Sequence, residues 1–419
     1  MKMRGLRLDA KKESFQSFWT LTRPGPPSRI CVFLKNPFSG SRARALVQAG
    51  DYVLTGQKIA QAEDPRSVNL FSGISGRVSQ ISFFRHPAGT EERAIEIESD
   101  RRDKRNPEIG TERLGWQNLS REKYLELFRE MGLVDLSPAE KPLHGLFENG
   151  SSENETLLLN GCESEPYTAA DYALMMSHPL EILKGAEIMR QAAGAKRFVL
   201  FLTDEKSEAV EILRSKLFFL KWNHCEVRTL KNLYPAGDPS LLKRIEKGTV
   251  LNIATAYAVY EAVLLQKPFY ERAVTVGAEC VAEPKNYWLR IGTLMEEAFK
   301  LSRGFLRPPA KVLMGGPMRG LVQASLSVPL AAGISALLGL APEVAAGPEE
   351  IQPCIHCGRC LEVCPENLSP AMISLASEAH QMDWAREWGA QDCTACGNCS
   401  YICPSKRPLV EMIVKAIQN

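Results

Sequence analysis

The sequence lacks a strong excess of charge of one sign and lacks an obvious export signal. Its 51 lysines and arginines nearly balance 49 aspartates and glutamates. A net charge of +2 argues against nucleic-acid binding through bulk charge. The opening residues, MKMRGLRLDAKKESF, contain no apolar core of the secretory type, so we expect no export. Any specific function must therefore come from local sites.

The sequence also has no uninterrupted apolar segment of membrane-spanning length. The longest uncharged stretch, Gly320–Pro342, would suffice to cross a bilayer, but Gln323, Pro329 and Gly333 interrupt it. We therefore expect a buried helix here, or a loop followed by a short helix, that leads into the C-terminal part of the chain.

Cysteine is scarce until the last 70 or so residues, and it is concentrated there. Eight of the twelve cysteines lie between Cys354 and Cys403. In a reducing compartment such a group is far more typical of metal binding than of disulfides. The other four fall in or beside predicted strands and are predicted to be buried, small apolar residues. They are Cys31, Cys162, Cys225 and Cys280.

The eight clustered cysteines form two runs of the form Cys-x2-Cys-x2-Cys-x3-Cys-Pro. Three thiolates two residues apart can bind three corners of one iron–sulfur cubane, and the fourth cysteine of such a run ligates the other cluster. The predicted ligands of the first [4Fe–4S] cluster are Cys354, Cys357, Cys360 and Cys403. Those of the second cluster are Cys364, Cys393, Cys396 and Cys399.

The alternative metal is zinc, which also uses Cys-x2-Cys pairs. Two identical four-cysteine runs, each closed by proline, fit zinc ribbons poorly. His356 lies inside the first run, but the cysteine count is already complete, so we expect it near the surface or outside the ligand set. Gly358 and Gly397 would let the backbone approach each cluster closely. Two neighbouring clusters predict a carrier of single electrons.

Residues 30–100 are rich in short β-type segments separated by glycine turns, for example Phe71–Val78 and Ala94–Glu98. The pattern resembles the flattened sandwich of biotinyl and lipoyl carriers. A carrier needs a lysine on an exposed hairpin, and the stretch Glu63–Ser67 offers none. We therefore interpret this region as a structural module.

The middle of the chain alternates between predicted strands and helices, which indicates a parallel sheet with covering helices. The predicted strands are 157–159, 197–202, 225–227 and 249–254, and the helices are 121–131, 179–193, 207–220 and 256–265, the last capped by Thr255. From Pro268 to Gly316, strands at 273–277 and 311–316 flank a helix at 295–301. Two further helices, 369–387 and 409–417, flank the second cysteine run.

Polar residues follow two of the predicted parallel strands. Glu163 and Glu165 follow the strand at 157–159, and Asn252 lies in the strand at 249–254. Ligands dock at such strand ends, where acidic residues commonly contact ribose hydroxyls or a nicotinamide amide. The alternative is a solvated loop that caps the next helix, and the motif alone favours that alternative slightly.

The order of these features resembles the RnfC family, the NADH-facing subunits of Rnf ion-translocating ferredoxin:NAD oxidoreductase complexes. In chain order, these features are the sandwich, N-G-x-E-x-E-P-Y, N-x-x-T-A, V-T-V-G, G-G-P-M (Gly315–Met318) and the paired cysteine runs. The resemblance covers residues 30 to 410 and implies a β/α domain similar to the flavin subunit of complex I, with FMN as cofactor. It also implies that Glu163 and Glu165 lie near the nicotinamide and Asn252 beside the flavin.

The implied fold is a multidomain α/β plus β protein with a barrel-sandwich domain, a β/α domain, an SLBB-type α+β module and a helical bis-[4Fe–4S] ferredoxin-like domain. The predicted divisions are an N-terminal segment 1–29, the sandwich 30–100, a connector 101–145, the β/α domain 146–267, the SLBB-like module 268–318, an apolar connector 319–347 and the cluster domain 348–419.

One departure from the family pattern bears on the flavin. The family carries a glycine-rich loop with a lysine, which would neutralise a flavin phosphate, just before the N-G-x-E-x-E-P strand. Here the corresponding stretch, His144–Thr156, is short, contains three glutamates and lacks the lysine. The sequence therefore disfavours FMN and NADH binding by this chain.

The leading hypothesis is a peripheral subunit on the cytoplasmic face of the inner membrane. It would relay electrons between a soluble partner, NADH or a ferredoxin-like protein, and integral subunits of an Rnf-type complex, with the apolar 320–346 segment as a candidate contact. A second hypothesis is a flavin-free adaptor that takes electrons from a ferredoxin-like protein. A third is a soluble reductase, related to RnfC-like cobalamin reductases, that serves a metabolic enzyme.

Overall fold

The computed structural model describes residues 4–11, 19–148, 156–345 and 351–418. A two-residue strand, β1 (Leu21–Thr22), comes first and joins a sheet formed much later in the chain. Upstream of it, Leu6 pairs with Tyr234 and Ala10 accepts a hydrogen bond from the Tyr167 amide. The predicted N-terminal segment therefore packs along the β/α and module regions.

The sandwich consists of two antiparallel sheets. One has the order β2-β8-β7-β4 and the other β3-β5-β6. Their facing side chains, among them Ile59, Ile95 and Ile97, form one buried core. The strands are β2 (Arg29–Phe33), β3 (Ala43–Ala45), β4 (Tyr52–Val53), β5 (Lys58–Ala62), β6 (Leu70–Phe71), β7 (Gly76–Arg85) and β8 (Glu91–Ser99).

The hairpin turn that would carry a modified lysine in a carrier is packed against a helix here. Arg129, on α1 (Arg121–Glu130), donates a hydrogen bond to the Asp64 carbonyl, and His144, on α2 (Leu143–Glu148), contacts the Pro65 carbonyl at 2.6 Å. Both helices bury apolar residues in the β/α core. The predicted connector 101–145 is thus partly a component of that domain.

The β/α domain is a four-stranded parallel sheet of order β11-β10-β9-β12. Its elements are β9 (Thr156–Asn160), α3 (Ala170–Ser177), α4 (Pro179–Ala193), β10 (Arg197–Thr203), α5 (Ser207–Leu220), β11 (Cys225–Leu230), α6 (Pro239–Ile245), β12 (Thr249–Asn252) and α7 (Ile253–Leu264). The chain adds β10 and β11 on one side of β9 and β12 on the other. The strand order therefore reverses between β9 and β12.

The start of the last helix differs from the prediction. Asn252, and not Thr255, caps α7, because the Asn252 Oδ1 accepts a hydrogen bond from the Ala254 amide at 2.7 Å. Thr255 is fully buried inside the first turn, where its hydroxyl contacts Asp135. The strand consequently ends two residues earlier than the sequence pattern indicates.

The next sheet has six strands in the order β1-β14-β13-β17-β15-β16. It contains β13 (Glu271–Gly277), β14 (Lys285–Arg290), α8 (Met295–Leu301), β15 (Lys311–Met314), β16 (Leu321–Gln323) and β17 (Ala336–Leu340). Its last two strands lie in the stretch 319–347, which was predicted as an apolar connector containing a helix. That prediction is wrong because β17 is buried along its whole length, and a fully buried strand has a continuous apolar sequence.

The C-terminal region is helical, with α9 (Arg359–Glu362), α10 (Pro370–Glu378), α11 (Met382–Glu387), α12 (Asn398–Ile402) and α13 (Leu409–Gln418). The helix predicted from 369 to 387 is two helices, because the chain turns at His380, which has φ +56°. Short 3₁₀ turns lie at Trp116–Asn118, Asp204–Lys206 and Ala390–Asp392. Among the residues described, every helix is too short or too polar to cross a membrane.

Candidate functional site

The structure gathers the eight clustered cysteines around two separate hollows in the C-terminal region. We call the first the outer hollow; it is lined by Cys354, Cys357, Cys360 and Cys403. We call the second the inner hollow; it is lined by Cys364, Cys393, Cys396 and Cys399. In each case three cysteines come from one run and the fourth comes from the other run.

The two runs follow the same backbone path. His356 and Ala395, each the residue before the second cysteine of its run, have φ of +54° and +52°. Gly358 and Gly397, each the residue after that cysteine, have φ of +76° and +89° and precede α9 and α12. Left-handed residues at these positions turn successive amide groups toward a common centre, a geometry that suits an anionic group such as a cluster.

The cysteines stand around the hollows and do not converge on a point. Within the described residues, no group of three or more His, Cys, Asp or Glu side chains is arranged to hold a single metal ion. A structural zinc site needs four ligands about 2.3 Å from one atom. His356 is exposed on the rim of the outer hollow.

The inner hollow is the more enclosed of the two. Cys364, Cys396 and Cys399 are buried, whereas Cys357 of the outer hollow is exposed. Burial raises the pKa of the Cys399 thiol to about 12. A thiolate at that position therefore needs compensating positive charge, which iron would supply.

The β/α domain closes the inner hollow from one side. The Tyr234 hydroxyl donates a hydrogen bond to the Cys396 carbonyl at 2.8 Å, and the Asn398 side-chain amide donates to the Tyr234 carbonyl at 3.1 Å. The same amide also donates to the Val363 carbonyl at 3.2 Å, so it links the two cysteine runs. Tyr234 of the β/α domain thus contacts the second run through both its side-chain hydroxyl and its backbone carbonyl.

Ionic contacts reinforce this interface between the β/α domain and the C-terminal region, which we call the seam. Arg319 pairs with the buried Asp238 and also donates to the Thr394 hydroxyl at 3.3 Å. Arg244, on α6, pairs with Glu366 at 3.1 Å. The cluster region is therefore fixed to the β/α domain and to the G-G-P-M loop by charged groups on both sides of the inner hollow.

The three residues predicted to bind a nucleotide or flavin all have partners within the chain. The Glu163 carboxylate accepts hydrogen bonds from the amides of Asp171 and Tyr172, at 2.8 and 3.0 Å, and so caps α3. Asn252 caps α7 and donates to the Asp171 carboxylate at 2.9 Å. Glu163 and Asn252 are thereby brought together through Asp171.

Glu165 lies apart from them, toward the inner hollow. Its carboxylate accepts a hydrogen bond from the Met318 amide at 2.8 Å, and the Tyr234 hydroxyl is 3.5 Å away. Burial raises the pKa of this carboxyl group. Glu165 therefore connects the strand end of β9 to the loop that contacts the second cysteine run.

The sequence analysis missed several residues of the site. Tyr234 and Arg319 carry no motif, and only the fold brings them to the inner hollow. The predicted acidic loop falls partly on 149–155, which lies outside the described residues. The segment that faces Asn252 and Thr255 lies further upstream, because the Asp135 carboxylate and the Leu136 amide contact those residues.

The four other cysteines behave as predicted for small apolar residues. Cys31, Cys162 and Cys280 are buried, and Cys225 is partly buried. Burial raises the pKa of the Cys31 and Cys162 thiols to about 12, so these thiols stay protonated.

Three domain families match this chain. Residues 3–102 match the RnfC barrel sandwich hybrid domain, residues 128–261 the Nuo51 FMN-binding domain, and residues 349–404 the 4Fe-4S dicluster domain. The fold resembles that of an NAD⁺-reducing [NiFe]-hydrogenase chain, with a TM-score of 0.51 at 16% identity over 70% of this chain and 63% of that one.

Relatives that align along most of the chain agree with this assignment. The chain is 34% identical to the C subunit of the proton-translocating ferredoxin:NAD(+) oxidoreductase complex of Clostridium ljungdahlii, over 89% of this chain and 84% of that one. It is 31% identical to the C subunit of the Na(+)-translocating complex of Acetobacterium woodii, over 89% and 87%. It is 32% identical to the C subunit of the ion-translocating oxidoreductase complex of Haemophilus influenzae, but it spans only 59% of that relative. The chain belongs to the RnfC family of ion-translocating oxidoreductase C subunits.

Proposed function

We propose that this chain relays electrons as the C subunit of a membrane-associated, ion-translocating oxidoreductase complex, through two [4Fe–4S] clusters. The observation that carries the proposal is the division of eight cysteines between two hollows, four to each. In the proposed assignment, Cys354, Cys357, Cys360 and Cys403 hold the outer cluster. Cys364, Cys393, Cys396 and Cys399 hold the inner cluster.

The surroundings of the hollows fit such clusters. Gly358 and Gly397 form left-handed turns beside the cysteines, and the Ala395 amide donates to the Cys393 sulfur at 3.4 Å. Hydrogen bonds to sulfur of this kind are common around such centres. When bound, each cluster supplies a site that accepts and releases one electron. The chain's own residues hold the two sites next to each other, because Asn398 bonds to Val363 across the two runs.

The partners follow from the same geometry. Cys357 of the outer hollow is exposed, and Ile355, which lines the same hollow, is 65% exposed. Tyr401, between Cys399 and Cys403 in the second run, is 64% exposed. We place the contact with a soluble electron partner, NADH-dependent or ferredoxin-like, or with another subunit of the complex, on this outer side. The chain would bind peripherally to integral subunits at the cytoplasmic face of the membrane.

The apolar stretch 320–346 does not support a membrane contact. Leu330, Ile334 and β17 are buried in the module core, so their apolar side chains are already covered. A soluble reductase remains the competing function, since the described chain offers no exposed apolar surface from this stretch beyond residues such as Val322.

Anaerobic reconstitution of the full chain tests the proposal. Two clusters predict about eight iron atoms and about eight sulfides per chain. Co-purification with integral subunits from washed membranes is expected as well. Binding of zinc in place of iron would overturn the cluster assignment, whereas a fully loaded chain that is absent from membranes would support the soluble reductase.

A further inference from the structure

The crevice where a β/α domain of this kind would take a cofactor lies at the carboxyl ends of β9 and β12. The strand order reverses there, and ligands of open parallel sheets bind at such a reversal. Helix α7 begins directly after β12, so its amino terminus points into the crevice. A helix amino terminus of this kind is a ready site for a phosphate group.

An anionic side chain of the protein already lies at this terminus. The Asp135 Oδ1 accepts hydrogen bonds from the Asn252 amide at 3.1 Å and from the Thr255 hydroxyl at 2.9 Å. The Thr255 hydroxyl in turn accepts a bond from the Leu136 amide at 2.9 Å. Asn252 satisfies a further amide through its own side chain. The donors that would meet a phosphate are therefore engaged.

A buried arginine of the chain, Arg272, lines the crevice and already has partners within the protein. Arg272 is only 1% exposed, and its guanidinium donates to the carbonyls of Ala273 and Ala332. The carboxylates whose charges act on it are those of Asp171, Glu140, Asp135 and Glu163. Arg272 therefore already has carboxylates of this chain as neighbours, and a phosphate dianion would have to compete with them in a poorly hydrated place.

Two buried polar atoms of this group lack a hydrogen-bond partner: Asp171 Oδ1, an acceptor, and Arg272 Nη2, a donor. A water molecule, which both donates and accepts, would satisfy the pair. A phosphate dianion only accepts, so it could pair with Arg272 Nη2 but would leave Asp171 Oδ1 unsatisfied. The two atoms together therefore fit a water molecule better than a phosphate group.

We infer that Asp135 acts as a built-in anion at the start of α7, and that the Nuo51-like domain of this chain is consequently closed to the phosphate of FMN. The match of residues 128–261 to an FMN-binding domain describes the fold, whereas the residues in the crevice do not fit the cofactor. The domain then serves as the scaffold that presents Tyr234 and Asp238 to the inner hollow. This inference does not depend on the clusters.

The first test measures flavin on the full reconstituted chain. After incubation with excess FMN and removal of free flavin, the protein is denatured with acid and the released flavin is measured by fluorescence. We expect only trace flavin beside full iron content. An equimolar amount of FMN would overturn the inference, and a loss of iron would bear only on the cluster proposal.

The second test uses inorganic phosphate as the probe. In Asp135→Gly the donors at the start of α7 lose their acceptor. Phosphate should then raise the Tm of the variant by at least about 2 °C relative to chloride of equal ionic strength, and should not raise that of the wild type. Ser120→Gly, which removes the cap of α1, is the matched control, because it loses a cap without vacating the crevice.

An Asp135→Gly chain with no more response to phosphate than the wild type would contradict the inference. If that variant does not fold, Asp135→Asn retains an acceptor oxygen but removes the charge. Inorganic phosphate should then raise the Tm of Asp135→Asn as well, because the like charge is gone while the donors keep an acceptor; no rise relative to the wild type would contradict the inference. The flavin content of the wild-type chain decides the question in either case.

Discussion

The outer and inner hollows are built from the same motif, yet their surroundings differ. The inner hollow is covered by Tyr234, Arg319 and the G-G-P-M loop, and three of its cysteines are buried. At the edge of the outer hollow, Arg4 donates to the Leu361 carbonyl at 3.2 Å, and Cys357 is exposed. The spacing of cysteines thus sets which residues surround each hollow, whereas tertiary contacts set how open the hollow is.

Because of this difference, one of the two proposed clusters is enclosed by the protein and the other is accessible to solvent. Solvent exposure and hydrogen bonds near the sulfurs tune the potential of an iron–sulfur cluster. The outer cluster would exchange electrons with partners, and the inner cluster would lie against the scaffold. Experiments that remove or open one side therefore test the comparison directly.

The largest expected effect comes from deleting one cysteine on each side. Cys357→Ala and Cys399→Ala should each lower the iron content by about half, because each removes a ligand of one cluster. Cys399→Ala should also lower the Tm more, since its cluster lies on the seam with the β/α domain. Iron assay and thermal unfolding check both statements. Cys225→Ala, outside the runs, should retain all its iron.

An iron chelator should distinguish the two clusters by the rate at which each one loses its iron. In the wild-type chain the exposed outer cluster should be lost several-fold faster than the inner one, so that iron release has two phases. Stopped samples assayed for iron and visible absorbance would measure this. A single phase that removes all the iron would show that the two hollows are equally accessible.

Weakening the contacts of the seam should bring the rates of iron loss from the inner and outer clusters closer together. Arg319→Gln leaves the buried Asp238 carboxylate unpaired, which costs about 2–4 kcal/mol because a buried charge loses its partner. The variant should unfold at a lower temperature and release inner iron faster. Arg386→Gln breaks an exposed ion pair with Asp383 and should change stability by less than about 1 kcal/mol.

The smallest expected effect is that of Tyr234→Phe. The change removes one hydrogen bond to the Cys396 carbonyl and costs about 1 kcal/mol. It should shift the reduction potential of the inner cluster and leave that of the outer cluster unchanged, as measured by redox titration followed by EPR. Tyr401→Phe, at an exposed tyrosine, is the control. Equal shifts in both clusters would contradict the proposed location of Tyr234.

Much of the fold could be predicted from sequence because its signals are local. The helices at 179–193, 207–220 and 295–301 have the predicted bounds, since proline, serine and apolar periodicity mark their ends and faces. The family resemblance was confirmed by relatives that align along most of the chain. The strand β17 was missed because burial on both faces removes the alternation that identifies a strand.

The site was predicted less completely, since its decisive contacts join distant parts of the chain. Glu163 and Asn252 were identified from strand ends, but whether their polar groups face a ligand or a helix terminus depends on Asp171 and on the preceding loop. Asp135 lies more than a hundred residues from Asn252 and belongs to no motif. Only the folded sheet shows that the two residues meet.

The central claim, one covered cluster and one open cluster, is tested most directly by EPR with a soluble dysprosium chelate. The two single-cysteine variants each retain one cluster, so each signal can be followed alone. We predict strong relaxation enhancement in Cys399→Ala, which retains the outer cluster, and weak enhancement in Cys357→Ala. Equal enhancement, or stronger enhancement of the inner cluster, would contradict the account.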